Sequence, residues 1–236
     1  PIATPIFEFS QVFTRSLGET SDIVSKEMYS FNDRNDESLT LRPEGTAGIA
    51  RAYSQDGLSQ HSPFKVYYDG PMFRYERPQK GRQRQFHQLG VENIGGALIY
   101  SDLEVIDLGH QFLSEIGLMK DCELLINSIG DEESRNLYKE KFVGYLTPFE
   151  SELSEDSKKR LKTNPLRIFD SKDPNDQKIL SSAPLLKDSL NDESLRIKDQ
   201  IFEGLTRLNI AFKATEGLVR GLDYYTHIVF EFVTDK

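Results

Sequence analysis

Cysteine is almost absent from this sequence. Cys122 stands alone, so no disulfide can form within the chain, and a reducing cytosol is the expected setting. No apolar run approaches the roughly 20 residues that a membrane span needs, so no membrane partner is expected. The opening residues lack the basic, apolar and small-residue succession of a secretory signal. Two common nucleotide signatures are missing as well. There is no G-x-x-x-x-G-K-[ST], which argues against a P-loop, and no G-x-G-x-x-G, which leaves a dinucleotide fold without support. Internal repeats and low-complexity tracts are absent. Any nucleotide site in this chain has to be built another way.

What is present is enough for a real core. The chain has 236 residues, 37% of them hydrophobic and 28% charged, which fits one large domain or one domain carrying an insertion. The formal net charge of -9 argues weakly against a polyanionic partner. Its distribution argues the other way. Between Met72 and Arg84 five basic residues (Arg74, Arg77, Lys80, Arg82, Arg84) stand against one acidic, Glu76. Such an island can steer a polyanion to one place, although a solvated basic loop would look the same.

The first third reads as short strands and turns. Segments 26–31 and 38–41 flank a polar turn and predict a hairpin. Residues 46–55 predict a helix after Pro43, closed by Gly57. Phe64, Val66 and Tyr68 alternate with Lys65, Tyr67 and Asp69, as in a strand. Segments 73–77 and 85–94 read as two further strands joined by a polar loop, 78–84. Residues 102–116 predict a helix, with Asp102 as N-cap and Gly117 at its C-terminal end. From Asp131 onward Lys, Glu, Asp, Ser and Leu recur at helical spacing, broken by Pro148, Pro165, Pro174 and Pro184. The expected plan is a core over 1–130, a helical insertion over 131–212, and returning strands over 213–236.

Three segments could carry chemistry. On a strand over 85–94, Phe86, Gln88, Gly90 and Glu92 share one face, and His87, Leu89 and Val91 the other. Arg74 and Glu76 share a face on the expected outgoing strand. A face of guanidinium, carboxylates, carboxamide and ring is costly to bury without partners. Gly90 removes a side chain between Gln88 and Glu92, leaving room for something to lie on the sheet. A solvated sheet face with a salt bridge is the plainer reading. The second segment is Leu41-Arg42-Pro43-Glu44-Gly45-Thr46, where polar groups meet a helix start and Thr46 could simply cap it. The third is Leu218-Val219-Arg220-Gly221-Leu222-Asp223-Tyr224-Tyr225, which also reads as an amphipathic strand with core tyrosines.

Taken together these segments resemble a known family. The stretch Phe73-Arg74-Tyr75-Glu76-Arg77-Pro78-Gln79-Lys80-Gly81-Arg82-Gln83-Arg84-Gln85-Phe86-His87-Gln88 is similar to the second signature motif of class II aminoacyl-tRNA synthetases in its histidyl form. Residues 218–225, LVRGLDYY, resemble the motif particular to histidyl-tRNA synthetases. TLRPEGTAG over 40–48 resembles that family's amino-acid-binding loop. Pro5-Ile6-Phe7-Glu8 resembles the end of the first class II motif, and NPLRIFDSK over 164–172 a stretch of the family's insertion.

The resemblance implies an α+β fold, an antiparallel sheet flanked by helices with a helical insertion, in a cytoplasmic homodimer. It implies a histidine–tRNA ligase that activates L-histidine with ATP and Mg²⁺ and passes it to tRNA(His). Residue by residue, it gives Arg74 and Arg220 the catalytic clamp on histidine carboxylate and ATP α-phosphate. Glu76 and Phe86 bind and stack adenine, and Arg82 reaches the outer phosphates. Glu44, Gly45, Thr46 and Gln88 hold the α-amino group of histidine. Glu92, Tyr224 and Tyr225 read the imidazole. Arg77, Gln79, Lys80 and Arg84 lie toward the tRNA acceptor end. No metal is assigned to protein ligands. The family's third motif and anticodon-binding domain have no counterpart in these 236 residues, which implies an incomplete ATP site in this stretch alone. A non-catalytic paralogue serves as regulatory subunit of ATP phosphoribosyltransferase in histidine biosynthesis, and a synthetase-like RNA-sensing domain occurs within a regulatory kinase. Neither should need the 73–88 and 218–225 segments intact, as they are here.

Overall fold

The computed structural model describes residues 1–18, 21, 23–218 and 225–234, with the side chain of residue 170 left aside. Two compact units divide the chain, the first over Pro1–Ser101 and the second over the described residues from Asp102 onward.

The first unit opens with strand β1 (Phe7–Phe9) and helix α1 (Ser10–Leu17). Strands β2 (Tyr29–Asn32) and β3 (Ser38–Leu41) follow, forming the expected hairpin, but its first strand starts at Tyr29 and not at 26, because Ile23–Glu27 wind into a π-helical turn. β3 lies between β1 and β2, antiparallel to both, so Leu41 faces Phe7 on one side and Tyr29 on the other. Its Thr40 is fully buried, and its hydroxyl is within hydrogen-bonding distance of Ser10 Oγ and Ser30 Oγ, 2.8 Å each. In the turn, Asp33 Oδ1 accepts the amides of Asn35 and Glu37, which spares the backbone from seeking partners elsewhere. The sequence gives little warning of α1. It is short, β-branched at Val12 and Thr14, and its N-cap Phe9 offers no side-chain acceptor. Tertiary packing makes it a helix: Phe13 and Leu17 are fully buried in a cluster with Ile23 and Ala47.

Helix α2 (Thr46–Gln55) has the expected span, and Gly57 beyond it takes a left-handed φ of 73°. Strands β4 (Phe64–Phe73) and β5 (Gln85–Ile94) pair antiparallel over their whole length, from Phe64↔Ile94 to Phe73↔Gln85. The expected strand over 73–77 is therefore a correction. The partner of β5 ends at Phe73, because Tyr75 turns its amide to Glu27 O (2.8 Å) and Pro78 has none to give. Helix α3 (Leu98–Glu115) also starts earlier than expected. The apolar run at 97–100 already winds, with Ser101 N donating to Ala97 O, so Asp102 is interior rather than the cap. Gly117 closes it at φ 76° as anticipated.

In the second unit β6 (Glu123–Gly130) is central. It pairs parallel with β7 (Lys213–Ala214) and antiparallel with β8 (His227–Val233). Between them in sequence run α4 (Glu132–Leu146), α5 (Glu155–Thr163), α6 (Pro174–Leu180) and α7 (Asp192–Arg207). The helical spacing is thus real, and Pro148, Pro165 and Pro174 stand at first turns where a missing amide costs nothing. The core is aromatic: Phe142 is fully buried, stacked at 4.8 Å on Phe169 and at 5.7 Å on Tyr138. Helices α4 and α7 start in one shared knot. Asp131 and Asn191 cap them through the amides of Ser134 and Ser194, and Asn191 Nδ2 donates to Asp131 Oδ2 at 2.7 Å.

A second buried acid organises the far end. Asp176, fully buried in α6, accepts the hydroxyls of Ser154, Ser157 and Ser171 (2.6–2.7 Å) and the Ser154 amide at 2.9 Å. Burial pushes its carboxyl up, but the serine hydrogen bonds more than offset this and hold it at about 2, below the ordinary 3.8. Its stabilising contribution is therefore complete above pH 3.8 and lost as pH falls through about 2. Asp176→Asn should cost about 1–3 kcal/mol at neutral pH, since an NH2 replaces an acceptor. Urea melts across this pH range should show the wild-type loss and a flatter variant. Parallel curves would refute the assignment.

Candidate functional site

The site begins with a strand pair that turns several polar residues inward among apolar ones. On one face of β4–β5 stand Tyr68, Gly70, Phe86, Gln88, Gly90 and Glu92, half-buried or better, while the other exposes Tyr67 (49%) and Leu89 (57%). The expected alternation along β5 holds, and the plainer reading of its polar face as solvated does not. Those polar groups are turned inward, and Glu92 finds a partner there.

Glu44, only 6% exposed, sits before α2, and its two carboxylate oxygens accept the amides of Thr46 and Ala47, each at 2.8 Å. The helix cap is therefore Glu44 and not the Thr46 hydroxyl, which is free to donate to Glu92 Oε1 at 2.7 Å. Two carboxylates thus meet at one helix start, where backbone amides and the helix dipole favour negative charge. Burial raises the Glu92 carboxyl above its ordinary range. Glu44 adds to the rise and the Thr46 hydroxyl opposes it. Tyr68 lies across both. Burial first, then the charges of Glu92 and Glu44, push its phenol up to about 12, so it stays neutral and can donate.

Tyr68 was not foreseen as a site residue, and it revises the role of Gly90. The two residues are cross-strand partners, and a Cβ on either Gly90 or Gly45 would run into the Tyr68 ring. The room left by Gly90 is filled by this ring and not held open for a ligand. The signal existed in the sequence, since Tyr68 and Gly90 lie on alternating strands, but only the register pairs them. Arg42 is likewise structural. Its guanidinium covers Gly70 and donates to Pro71 O (2.8 Å) and Thr4 O (2.9 Å).

Along the same face, Gln88 Oε1 is buried with no hydrogen-bond partner among the described residues. An unsatisfied buried carboxamide costs about 1–3 kcal/mol, which a donating ligand would restore. Beyond it Arg74 lies over the Phe86 ring at 5.2 Å, its Nε donating to Pro43 O at 2.8 Å. Glu76 stands 3.9 Å from Arg74 and 3.3 Å from the exposed Arg82. A concavity of about 620 Å³ opens here between Gly81, Gln83, Gln85, Phe86 and His87. Arg77, Gln79 and Lys80 are exposed on the loop, which tightens through the paired Gln79 and Arg82 around Gly81 at φ 78°. Arg84 is exposed too, with its guanidinium 4.0 Å over Tyr75.

Glu44, Gly45, Thr46 and Glu92 are thus gathered in one cluster, with Gln88 on the same strand face, and Arg74, Glu76, Arg82 and Phe86 in another. Tyr225 belongs to the second unit, where Arg135 donates to its carbonyl and its side chain packs on the aromatic core. Arg220 and Tyr224 lie outside the described residues.

Antiparallel strand pairs flanked by helices, arranged as in solved histidyl-tRNA synthetases, give the class II aminoacyl-tRNA synthetase fold. A family model described as histidyl-tRNA synthetase matches residues 1–130. Histidine–tRNA ligases of Gluconacetobacter diazotrophicus and Rhodospirillum rubrum are 52% and 54% identical to the chain, each over 99% of it and 56% of their own length. The solved apo histidyl-tRNA synthetase of S. aureus superposes with a TM-score of 0.75 at 40% identity, over 98% of this chain and 52% of that one. A Bacillus halodurans protein described as an ATP phosphoribosyltransferase regulatory subunit/histidyl-tRNA synthetase gives 0.66 at 25% identity, over 100% of this chain and 64% of that one. The chain belongs to the histidyl-tRNA synthetase family. It spans a little over half the length of the curated relatives it matches.

Gly90→Ala should destabilise the protein by about 1–3 kcal/mol through overpacking against Tyr68. In a Tyr68→Ala background the same change should cost much less, because the ring it strikes is gone. Equal costs in denaturant melts of the two backgrounds would show that the ring does not occupy the glycine hollow.

Proposed function

We propose that the protein containing this chain is a histidine–tRNA ligase, which joins L-histidine to ATP as histidyl-adenylate and then transfers it to tRNA(His). The observation that carries the reading is the inward polar face of β4–β5. A partly desolvated Glu92, a neutral tyrosine and a Gln88 Oε1 with no partner among the described residues stand on the same strand pair as an arginine laid over a phenylalanine ring.

In this reading Glu92 accepts a hydrogen bond from the imidazole, helped by Tyr224 and Tyr225. Gln88, Thr46 and Glu44, around Gly45, receive the α-ammonium. Glu44 already holds two amides, so its part is to supply charge beside a fixed helix start. Phe86 stacks adenine and Glu76 accepts from its exocyclic amine. Arg82 meets the outer phosphates. The histidine carboxylate attacks the α-phosphorus, its oxygen forms the new P–O bond, and pyrophosphate leaves. Both reactants are anions, so the step needs neutralisation and alignment more than a base. Arg74 and Arg220 supply both. Mg²⁺ would screen the phosphates and be held chiefly by their oxygens. Among the described residues no group of three or more acidic, histidine or cysteine side chains is assembled to hold a metal. A ribose hydroxyl of tRNA then attacks the adenylate carbonyl, the ester forms as the bond from the acyl carbon to the phosphate oxygen breaks, and AMP and a proton leave, with Arg77, Gln79, Lys80 and Arg84 along the acceptor end.

A cytoplasmic homodimer belongs to the same proposal, as does the division into core (1–130), insertion (131–212) and returning strands (213–236). No helix among the described residues is long and apolar enough to cross a membrane. Histidine-dependent ATP–pyrophosphate exchange by the full-length protein tests the reading. A regulatory subunit would bind histidine and exchange nothing.

Glu92→Gln should weaken histidine binding far more than ATP binding in calorimetry, and equal losses would remove Glu92 from the imidazole. Arg220→Ala should slow single-turnover adenylation by at least about a hundredfold with an unchanged melting temperature. A rate close to wild type would sink its role.

A further inference from the structure

One tyrosine joins the start of α2 to the strand pair. Tyr68 of β4 is the cross-strand partner of Gly90 of β5, and Glu92, two residues on, points to the same face. The ring lies between glycines of two different elements. A Cβ on Gly45 would stand 2.8 Å from the Tyr68 hydroxyl, and one on Gly90 would stand 2.3 Å from it. The hydroxyl is therefore held between the 41–46 turn and β5. There it is hydrogen-bonded to the Gly45 backbone and to the Thr46 side chain. Thr46 Oγ1 in turn lies 2.7 Å from Glu92 Oε1.

The directions of these bonds follow from what each group can donate. A hydroxyl has one proton and two lone pairs, and a carboxylate only accepts. The Thr46 proton therefore goes to Glu92. Thr46 must then accept from Tyr68. Having given its proton to Thr46, Tyr68 can only accept from the Gly45 backbone, whose donor is its amide. The row Gly45, Tyr68, Thr46, Glu92 thus points all its protons one way, toward the carboxylate. It keeps Glu92 an acceptor and leaves Thr46 one lone pair beyond the bond from Tyr68. Gln88 Oε1, an acceptor with no partner among the described residues, shares the face. A ligand that satisfies this face brings donors, as the ammonium and the ring N–H of histidine do. Groups built to accept reject ligands that cannot donate, because they are then left unpaired. We propose that Tyr68 is a positioning residue for specificity, whose hydroxyl directs the Thr46 proton onto Glu92 so that the histidine site meets its ligand with acceptors. This rests on the proposed ligase activity.

Packing of the ring and direction of the hydroxyl can be separated, because Tyr68→Phe keeps the first and removes the second. The test is steady-state ATP–pyrophosphate exchange by the full-length enzyme, with melting temperatures in parallel. Tyr68→Phe should raise the KM for histidine about fivefold, the scale of one lost neutral hydrogen bond, with the KM for ATP unchanged. Thr46→Val breaks the row one step further on. In that background Tyr68→Phe should raise the histidine KM by less than about twofold, since the proton it removes no longer has its acceptor. Thr46→Ser keeps a hydroxyl, and in that background the fivefold effect should return. A wild-type histidine KM in Tyr68→Phe overturns the proposal. So does an equal rise in the KM for ATP, or a full fivefold effect in the Thr46→Val background. A Tyr68→Phe enzyme that does not fold overturns it too, since the hydroxyl would then serve the fold and not the ligand. A wild-type enzyme without histidine-dependent exchange overturns the ligase reading itself, a result distinct from all of these.

Discussion

Two carboxylates share the first turn of α2, and the arrangement of the site depends on how that turn satisfies them. Glu44 takes the amides of Thr46 and Ala47, and Glu92 takes the Thr46 hydroxyl. Buried acids are tolerated only with such partners. The helix start provides amides that have no intrahelical acceptor and a dipole of the right sign. Meeting this constraint joins α2 to β5, brings the 41–46 turn against the strand pair, and closes Tyr68 over Gly45 and Gly90. On the same face Gln88 Oε1, without a partner among the described residues, marks where a donor would be welcome.

The same constraint explains why Gln88 and Glu92 of β5 stand inward, beside Val66 and Met72, while Lys65, Asp69 and His87 share the outward face with the exposed Tyr67, Leu89 and Val91. Here burial of Glu92 is balanced by a hydrogen bond made across elements, from the Thr46 hydroxyl. Glycines permit this. Gly70 lets Arg42 lie flat, and Gly90 lets Tyr68 cross to the opposite strand.

The second unit gains its order from a different device, acids that collect hydroxyls and amides. Asp131 and Asn191 lock the starts of α4 and α7 together, and Asp176 gathers three serines around α6. These polar knots surround the stacked rings of Tyr138, Phe142 and Phe169, on which Leu218 and Tyr225 also rest.

Sequence alone determined the elements with strong local signals. The 46–55 helix, the hairpin around Asp33, strand 85–94 with its alternating faces, and the helical spacing after Asp131 follow from periodicity, glycine and proline, which act within a few residues. Those signals, with the motif at 73–88, were also enough to place Arg74, Glu76, Phe86, Gln88 and Glu92 among the site candidates. Tertiary structure decided what depends on partners distant in the chain. Helix α1 exists because Phe13 and Leu17 find a core. The strand before the 78–84 loop stops at Phe73 because Tyr75 is claimed by Glu27. Glu44 became the cap and Thr46 the donor to Glu92 because β5 runs past the helix start. Tyr68 carried no local mark of importance. Register set Tyr68 against Gly90, a contact between residues that no short-range pattern relates.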